Sequence, residues 1–325
     1  MVKLKPLSEQ QLAHFVEEGY LVARGLLDYA LDIAPVIAEY EVRLDEVLAS
    51  WYEAGLIADT WEERRFSDRL IQIVSQTDLD YSQPLDIALP LANITETTPM
   101  HTGPAIFSLL RSSRLLDAVE QFIGPEIYSN PVQHVRIKPP MSALPKDFAN
   151  NSLITHTPWH QDMGVIHEEA DESNILTVWI AITEATEENG CMAVVPRSHK
   201  GQLALHCPIA GQSVTIPEAR IPGKPLSLPM QPGDVLFMTS TTMHTSLKNV
   251  SESIRWSFDL RYNPIGEKTG RPWFPGFVAR SQQHPELELH DAERWSQLWD
   301  EARLALARQE TPAFTRWSAD AVGCA

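Results

Sequence analysis

Basic residues are scarce in this chain: 26 Lys and Arg stand against 43 Asp and Glu, a formal charge of -17. Nucleic acid and anionic membrane surfaces both demand a basic face, so neither is an expected partner. Cysteine is scarcer still. Cys191, Cys207 and Cys324 form no metal-type cluster, and an odd count argues against a disulfide framework, which predicts a reduced, cytoplasmic chain. Long apolar runs are absent as well. No segment approaches the about 18 uninterrupted apolar residues of a membrane span, and the opening MVKLKPLSEQQLAHFVEEGY lacks the apolar core of a secretory signal. What is present is ample material for a core, 43% hydrophobic residues in 325, with no repeat or low-complexity tract.

Ser8 followed by Gln11 is a capping-box pattern, and Leu12, Phe15 and Val16 then recur at helical spacing up to Gly19. YLVARGLL reads as a strand. LDIAPVIAEYEVRLDEVLASWYEAGL reads as an amphipathic surface helix, so the first 70 or so residues are mainly helical. FSLLRSSRLLDAVEQFIG ends in a glycine suited to a helix C-cap, and IYSNPVQHVRIKPP then switches to period two. Between residues 127 and 262 follow short strand candidates, HVRIK, NILTVWIAIT, CMAVVP, GDVLFMTS and SIRWSFDLRY, parted by turn-rich EENG and QPGD. Asn189-Gly190 is a good hairpin turn. HDAERWSQLWDEARLALA is a final amphipathic helix. The pattern predicts one domain over 1–325, mainly β with helical additions: an antiparallel barrel or double-sheet jelly roll over about 127–262, a helical part over 1–126, and a loop and helix over 263–325.

TPWHQDMG sets His160 two positions before Asp162. Similar pairs occur at His167-Glu168-Glu169 and His284-Pro285-Glu286, so the pair alone decides nothing. A third candidate ligand is His244, directly after the strand GDVLFMTS. Two imidazoles and one carboxylate on one face of a metal are the non-haem Fe(II) oxygenase arrangement. On the strand that returns from His244, Ile254, Trp256, Phe258 and Leu260 face one way and Arg255, Ser257, Asp259 and Arg261 the other. If Arg255 points inward its guanidinium must be paired, either by a ligand carboxylate or by Asp259 or Glu252.

WHQD, NGCMAVVPRSHK, and His244 followed by Ser246 and then Arg255, together with the opening LSEQQLAHFVEEGYLVARGLL, resemble the phytanoyl-CoA dioxygenase family of Fe(II)/2-oxoglutarate oxygenases over roughly residues 7 to 265. The resemblance implies a double-stranded β-helix, with His160, Asp162 and His244 as iron ligands. It further implies that Arg255 meets the far carboxylate of 2-oxoglutarate beside the hydroxyl of Ser246. Thr177, Trp179 and Gln133 match positions lining the cosubstrate pocket, although a core threonine or tryptophan reads identically. O2 is the co-reactant, and succinate and CO2 are the by-products. Related halogenases carry a small residue where Asp162 stands, so hydroxylation or another oxidation, desaturation or ring closure, is implied. Arg197 and His199 of PRSH read as structural.

The loops PPMSALPKDFANNSLITHTPW and NPIGEKTGRPWFPGF are the candidate lids. Their nearby cations, Lys138, Lys146, Lys268 and Arg271, form no cluster for the phosphates of a CoA thioester, which favours a small or medium organic molecule such as an amino acid or secondary metabolite. Two other readings stay open: a cupin-like metalloenzyme that does not use 2-oxoglutarate, and a silent ligand-binding jelly roll. Oligomeric state is not legible.

Overall fold

The computed structural model describes residues 6–145, 154–208, 214–309, 316–318 and 320–324. Helix α1 (Glu9–Glu18) starts from the capping box, with Ser8 and Gln11 satisfying each other's end of the first turn. Gly19 closes it at φ 84°, and a Cβ there would fall 2.3 Å from the His199 ring, so both conformation and space select glycine. Strand β1 (Tyr20–Ala23) follows. After one turn of π-helix comes α2 (Ala34–Glu53), which buries Val36, Tyr40, Leu44, Val47 and Leu48, the stripe its spacing predicts. Helix α3 (Phe66–Gln76) was not read in the sequence, and a single turn, α4 (Ser82–Leu85), follows it. The run FSLLRSSRLLDAVEQFIG divides into α5 (Pro104–Leu110) and α6 (Ser113–Ile123), broken where the buried Ser112 hydroxyl donates to Asp32.

The strands are β2 (Ile127–Lys138), β3 (Leu176–Ala181), β4 (Met192–Val194), β5 (Cys207–Pro208), β6 (Val214–Thr215), β7 (Leu226–Leu228), β8 (Val235–Thr239), β9 (His244–Ser246), β10 (Arg255–Pro264) and β11 (Phe277–Arg280), before α7 (Ala292–Ala307). They form an antiparallel six-stranded sheet in the order β1-β8-β3-β10-β2-β11 and a three-stranded sheet β7-β4-β9, with β5-β6 as a separate pair. This is the jelly-roll class expected, an antiparallel double sheet flanked by helices.

The alternation read on β10 holds. Trp256, Phe258 and Leu260 join the main core, where Trp256 stacks on Phe66 at 5.0 Å and meets Tyr40 edge-on at 4.9 Å, so the helices cover this face. Arg255, Ser257, Asp259 and Arg261 take the opposite, inner face. That core is continuous from Leu7 to Leu306. Arg197 and His199 hold the strands to α1, through Glu18 and the Val16 carbonyl.

One expectation fails. Cys207 and Cys324 are bonded to each other and only Cys191, buried, is free. An odd cysteine count is compatible with one bridge, so the parity argument was too coarse, and the cytoplasmic reading loses the support it drew from cysteine. Among the described residues no helix is long and apolar enough to cross a membrane.

Candidate active site

His160 and His244 are brought together by the backbone. The two residues form an isolated antiparallel bridge, exchanging N–H to carbonyl bonds of 3.0 and 2.9 Å, so each imidazole projects from the same short ladder. Their ring centroids lie 4.2 Å apart. Each Nδ1 is engaged locally, that of His160 with the Pro158 carbonyl at 2.8 Å and that of His244 with the Thr242 carbonyl at 2.9 Å. With Nδ1–H donating, Nε2 keeps its lone pair and faces inward, as a metal ligand must. Burial, together with the neighbouring His160, lowers His244 to about 4, so it is neutral near pH 7.

Asp162 opens a turn of 3-10 helix. Its Oδ1 lies 3.5 Å from His160 Nε2 and 3.8 Å from His244 Nε2, and the three candidate ligand atoms lie within 4.8 Å of one another. Burial alone would raise the carboxyl, but the Arg261 guanidinium and the two imidazoles outweigh it and hold it well below the usual carboxylate range. Arg261 donates to Oδ1 and Thr177 to Oδ2, so both oxygens are fixed from behind. Gln161, between the ligands, is clamped: its side chain bonds the Thr241 carbonyl and the Ala204 N–H, and its own N–H donates to His206 Nε2 at 2.9 Å. Gly164, within this turn, packs against the His206 ring, where a Cβ would fall 2.2 Å away.

The other end of the cleft is built differently. Arg255 is fully buried at 0% exposure, donates from Nη1 to Ser257 at 2.6 Å, and lies 5.5 Å from the Trp179 ring. Its Nε and Nη2, and the Trp179 indole N–H, have no hydrogen-bond partner among the described residues. Asp259, which the sequence offered as its partner, pairs with Arg136 instead. Burial lowers Arg255 only to about 10, so it stays charged. The Ser246 hydroxyl accepts from Thr157 N at 2.8 Å and from Lys138 Nζ at 2.5 Å.

One cleft is lined by His160, His244, Thr177, Trp179, Ser246, Arg255 and Arg261. Gln133 is not among its lining residues, and its amide donates to the Ile87 carbonyl at 3.3 Å. Thr177 stands in it chiefly as a hydrogen-bond donor to Asp162. Sequence reasoning put Arg261 on this face but gave it no task, and counted Lys138 only as a nearby cation; the alternation of β10 and its pairing with β2 were the available signals. Lys146 and much of the first candidate lid lie outside the described residues.

Chemically, two imidazoles and a fixed carboxylate can hold a divalent metal on one face, and a guanidinium fork with free donors can take a carboxylate. A model of the family described as Phytanoyl-CoA dioxygenase (PhyH) matches residues 15–257. A Caenorhabditis elegans protein named probable phytanoyl-CoA dioxygenase is 28% identical over 177 residues, 52% of this chain and 54% of the relative. The chain thus spans about half the length of that relative. A Bos taurus protein named phytanoyl-CoA dioxygenase domain-containing protein 1 is 26% identical over 297 residues, 83% of this chain and 93% of its own. Among solved structures, the epimerase SnoN in complex with Fe3+, alpha ketoglutarate and nogalamycin RO is 18% identical with a TM-score of 0.51, covering 81% of this chain and 86% of that one, a likeness of fold.

Proposed function

The chain belongs to the phytanoyl-CoA dioxygenase family, and from that premise we propose that it is a non-haem Fe(II)/2-oxoglutarate-dependent dioxygenase in which His160, Asp162 and His244 hold the metal and Arg255 receives the far carboxylate of the cosubstrate. The observation that carries this reading is the buried Arg255 fork, with two donors unpartnered among the described residues, in the cleft that His160 and His244 of the triad also line. A buried cation whose nearest acid, Asp259, is already ion-paired with Arg136 is costly unless something arrives to pair with it, and a planar guanidinium matches a carboxylate. The iron, when bound, supplies activation of O2 coupled to conversion of 2-oxoglutarate to succinate and CO2, with oxidation of a substrate C–H bond. The chain's part is to hold and orient. The carbonyls of Pro158 and Thr242 fix the imidazole tautomers, and Arg261 and Thr177 fix the Asp162 carboxylate. The continuous core supports one catalytic unit over the whole chain.

The substrate is a small or medium organic molecule and hydroxylation is the favoured outcome, because Asp162 occupies the position a halide would need. Of the cations considered for phosphate binding, Lys138 is buried, Arg271 is buried and donates to the Val165 carbonyl, and among the described ones Lys268 alone is exposed, so they form no cluster for a CoA thioester. The test is anaerobic reconstitution with Fe(II), then O2, with succinate release and product mass followed across a substrate panel. A gain of one oxygen is expected. Iron binding with no consumption of 2-oxoglutarate under any condition would favour the cupin-like alternative and defeat this one.

A further inference from the structure

Lys138 is a fully buried lysine, at 0% exposure, that the proposal above does not use. It sits on β2 directly opposite Arg255 on β10. Opposite residues of an antiparallel pair share a face, so two cations stand side by side on the inner wall. Neither has a carboxylate of its own among the described residues, since Asp259, the acid of this face, is paired with Arg136. Burial first, then the Arg255 and Arg136 charges, push the Lys138 ammonium well below the usual lysine range, as expected where positive charge is in excess.

Two of its three N–H donors are accounted for: Ser246 Oγ at 2.5 Å and Thr157 Oγ1 at 3.2 Å. The Thr157 backbone N–H also donates to Ser246 Oγ, at 2.8 Å. A hydroxyl oxygen has two lone pairs, and here two donors fill them, so the only hydrogen bond left to Ser246 is one that it donates. We propose that Lys138 is a positioning residue for the diacid end of the cleft: it locks Ser246 as an obligate donor beside Arg255, which makes the pocket select keto acids carrying a second carboxylate. The inference rests on the 2-oxoglutarate reading. An apolar side chain of similar length would fill the same space without a buried polar group to satisfy, so the Lys138 nitrogen is there for the hydrogen bonds it makes.

The test loads the protein with Mn(II) in the absence of oxygen and titrates it calorimetrically with two keto acids. These are 2-oxoglutarate and 2-oxopentanoate, which keeps the chelating end and carries a methyl in place of the far carboxylate. Lys138→Met should weaken 2-oxoglutarate binding about tenfold or more and leave 2-oxopentanoate within about twofold. Ser246→Ala should do the same, and the double variant should be no weaker than the weaker single one, because both act through one hydroxyl. If Lys138→Met does not fold, Lys138→Gln carries the same comparison. Equal losses for both keto acids, or additive losses in the double variant, overturn the proposal. Wild-type protein that fails to discriminate the two keto acids would sink the 2-oxoglutarate reading itself; discrimination that survives unchanged in Lys138→Met sinks only this inference.

Discussion

The two ends of the cleft are built on opposite principles. At the proposed metal end the fixed groups are wired from behind: both Nδ1 atoms meet carbonyls, both Asp162 oxygens accept hydrogen bonds, and the residue between the candidate ligands is held by His206, Ala204 and Thr241. At the other end Arg255 and Trp179 keep donors unpartnered among the described residues, and Lys138 stands beside Arg255 with no ion-paired carboxylate among them. A metal site gains by preorganisation, since rigid donors of fixed tautomer need no rearrangement on binding. A site for an exchanging anion gains by leaving its counter-charge unmet until the ligand arrives, at some expense in stability.

The largest effect should come from breaking the metal end. His160→Ala is expected to remove metal binding and bring succinate release below detection, measured by Co(II) titration and turnover. Breaking the far end should separate the two. Arg255→Met is expected to weaken 2-oxoglutarate binding about a hundredfold with metal affinity intact, while raising the melting temperature because an unpaired buried charge is gone. Loss of metal affinity in that variant would mean that the ends are not independent. Thr177→Val sharpens the comparison from behind Asp162: metal affinity should fall about tenfold, with little change in the preference for a diacid. The gentlest contrast concerns pH. Burial lowers His206 from 6.5 to about 4, so between these values the unfolded chain holds a proton that the folded one does not. Stability should therefore fall as pH drops through that window, by at most about 1.4 kcal/mol per pH unit from this group. His206→Gln, which keeps an acceptor for the Gln161 N–H, should flatten the profile of unfolding free energy against pH.

Much of this was legible in the sequence where chemistry is local or periodic. Ser8 with Gln11 announced α1, because a capping box closes within one turn. The alternation from Ile254 to Arg261 divided β10 correctly into a core face and a cleft face, because strand side chains must alternate. The joint motif around His160, Asp162, His244 and Arg255 pointed to the family. Helix α3 also carried a local signal, Phe66, Leu70, Ile73 and Val74 at helical spacing, and was overlooked. Other features carried none, and the break at Ser112 depends on Asp32, which lies far along the chain and accepts from its hydroxyl. Cys207 and Cys324 lie 117 positions apart in the chain, and no count of cysteines could pair them.

The partnerships of charge were decided by tertiary structure alone. Asp259 could have neutralised Arg255 within its own strand, and the sequence left that open; the register of β2 against β10 gave Asp259 to Arg136 and set Lys138 beside Arg255. Sequence determines which groups lie on a face, because alternation is a property of one strand. Which of them are satisfied depends on neighbouring strands, because hydrogen bonds and ion pairs act over about 3 Å between atoms far apart in the chain.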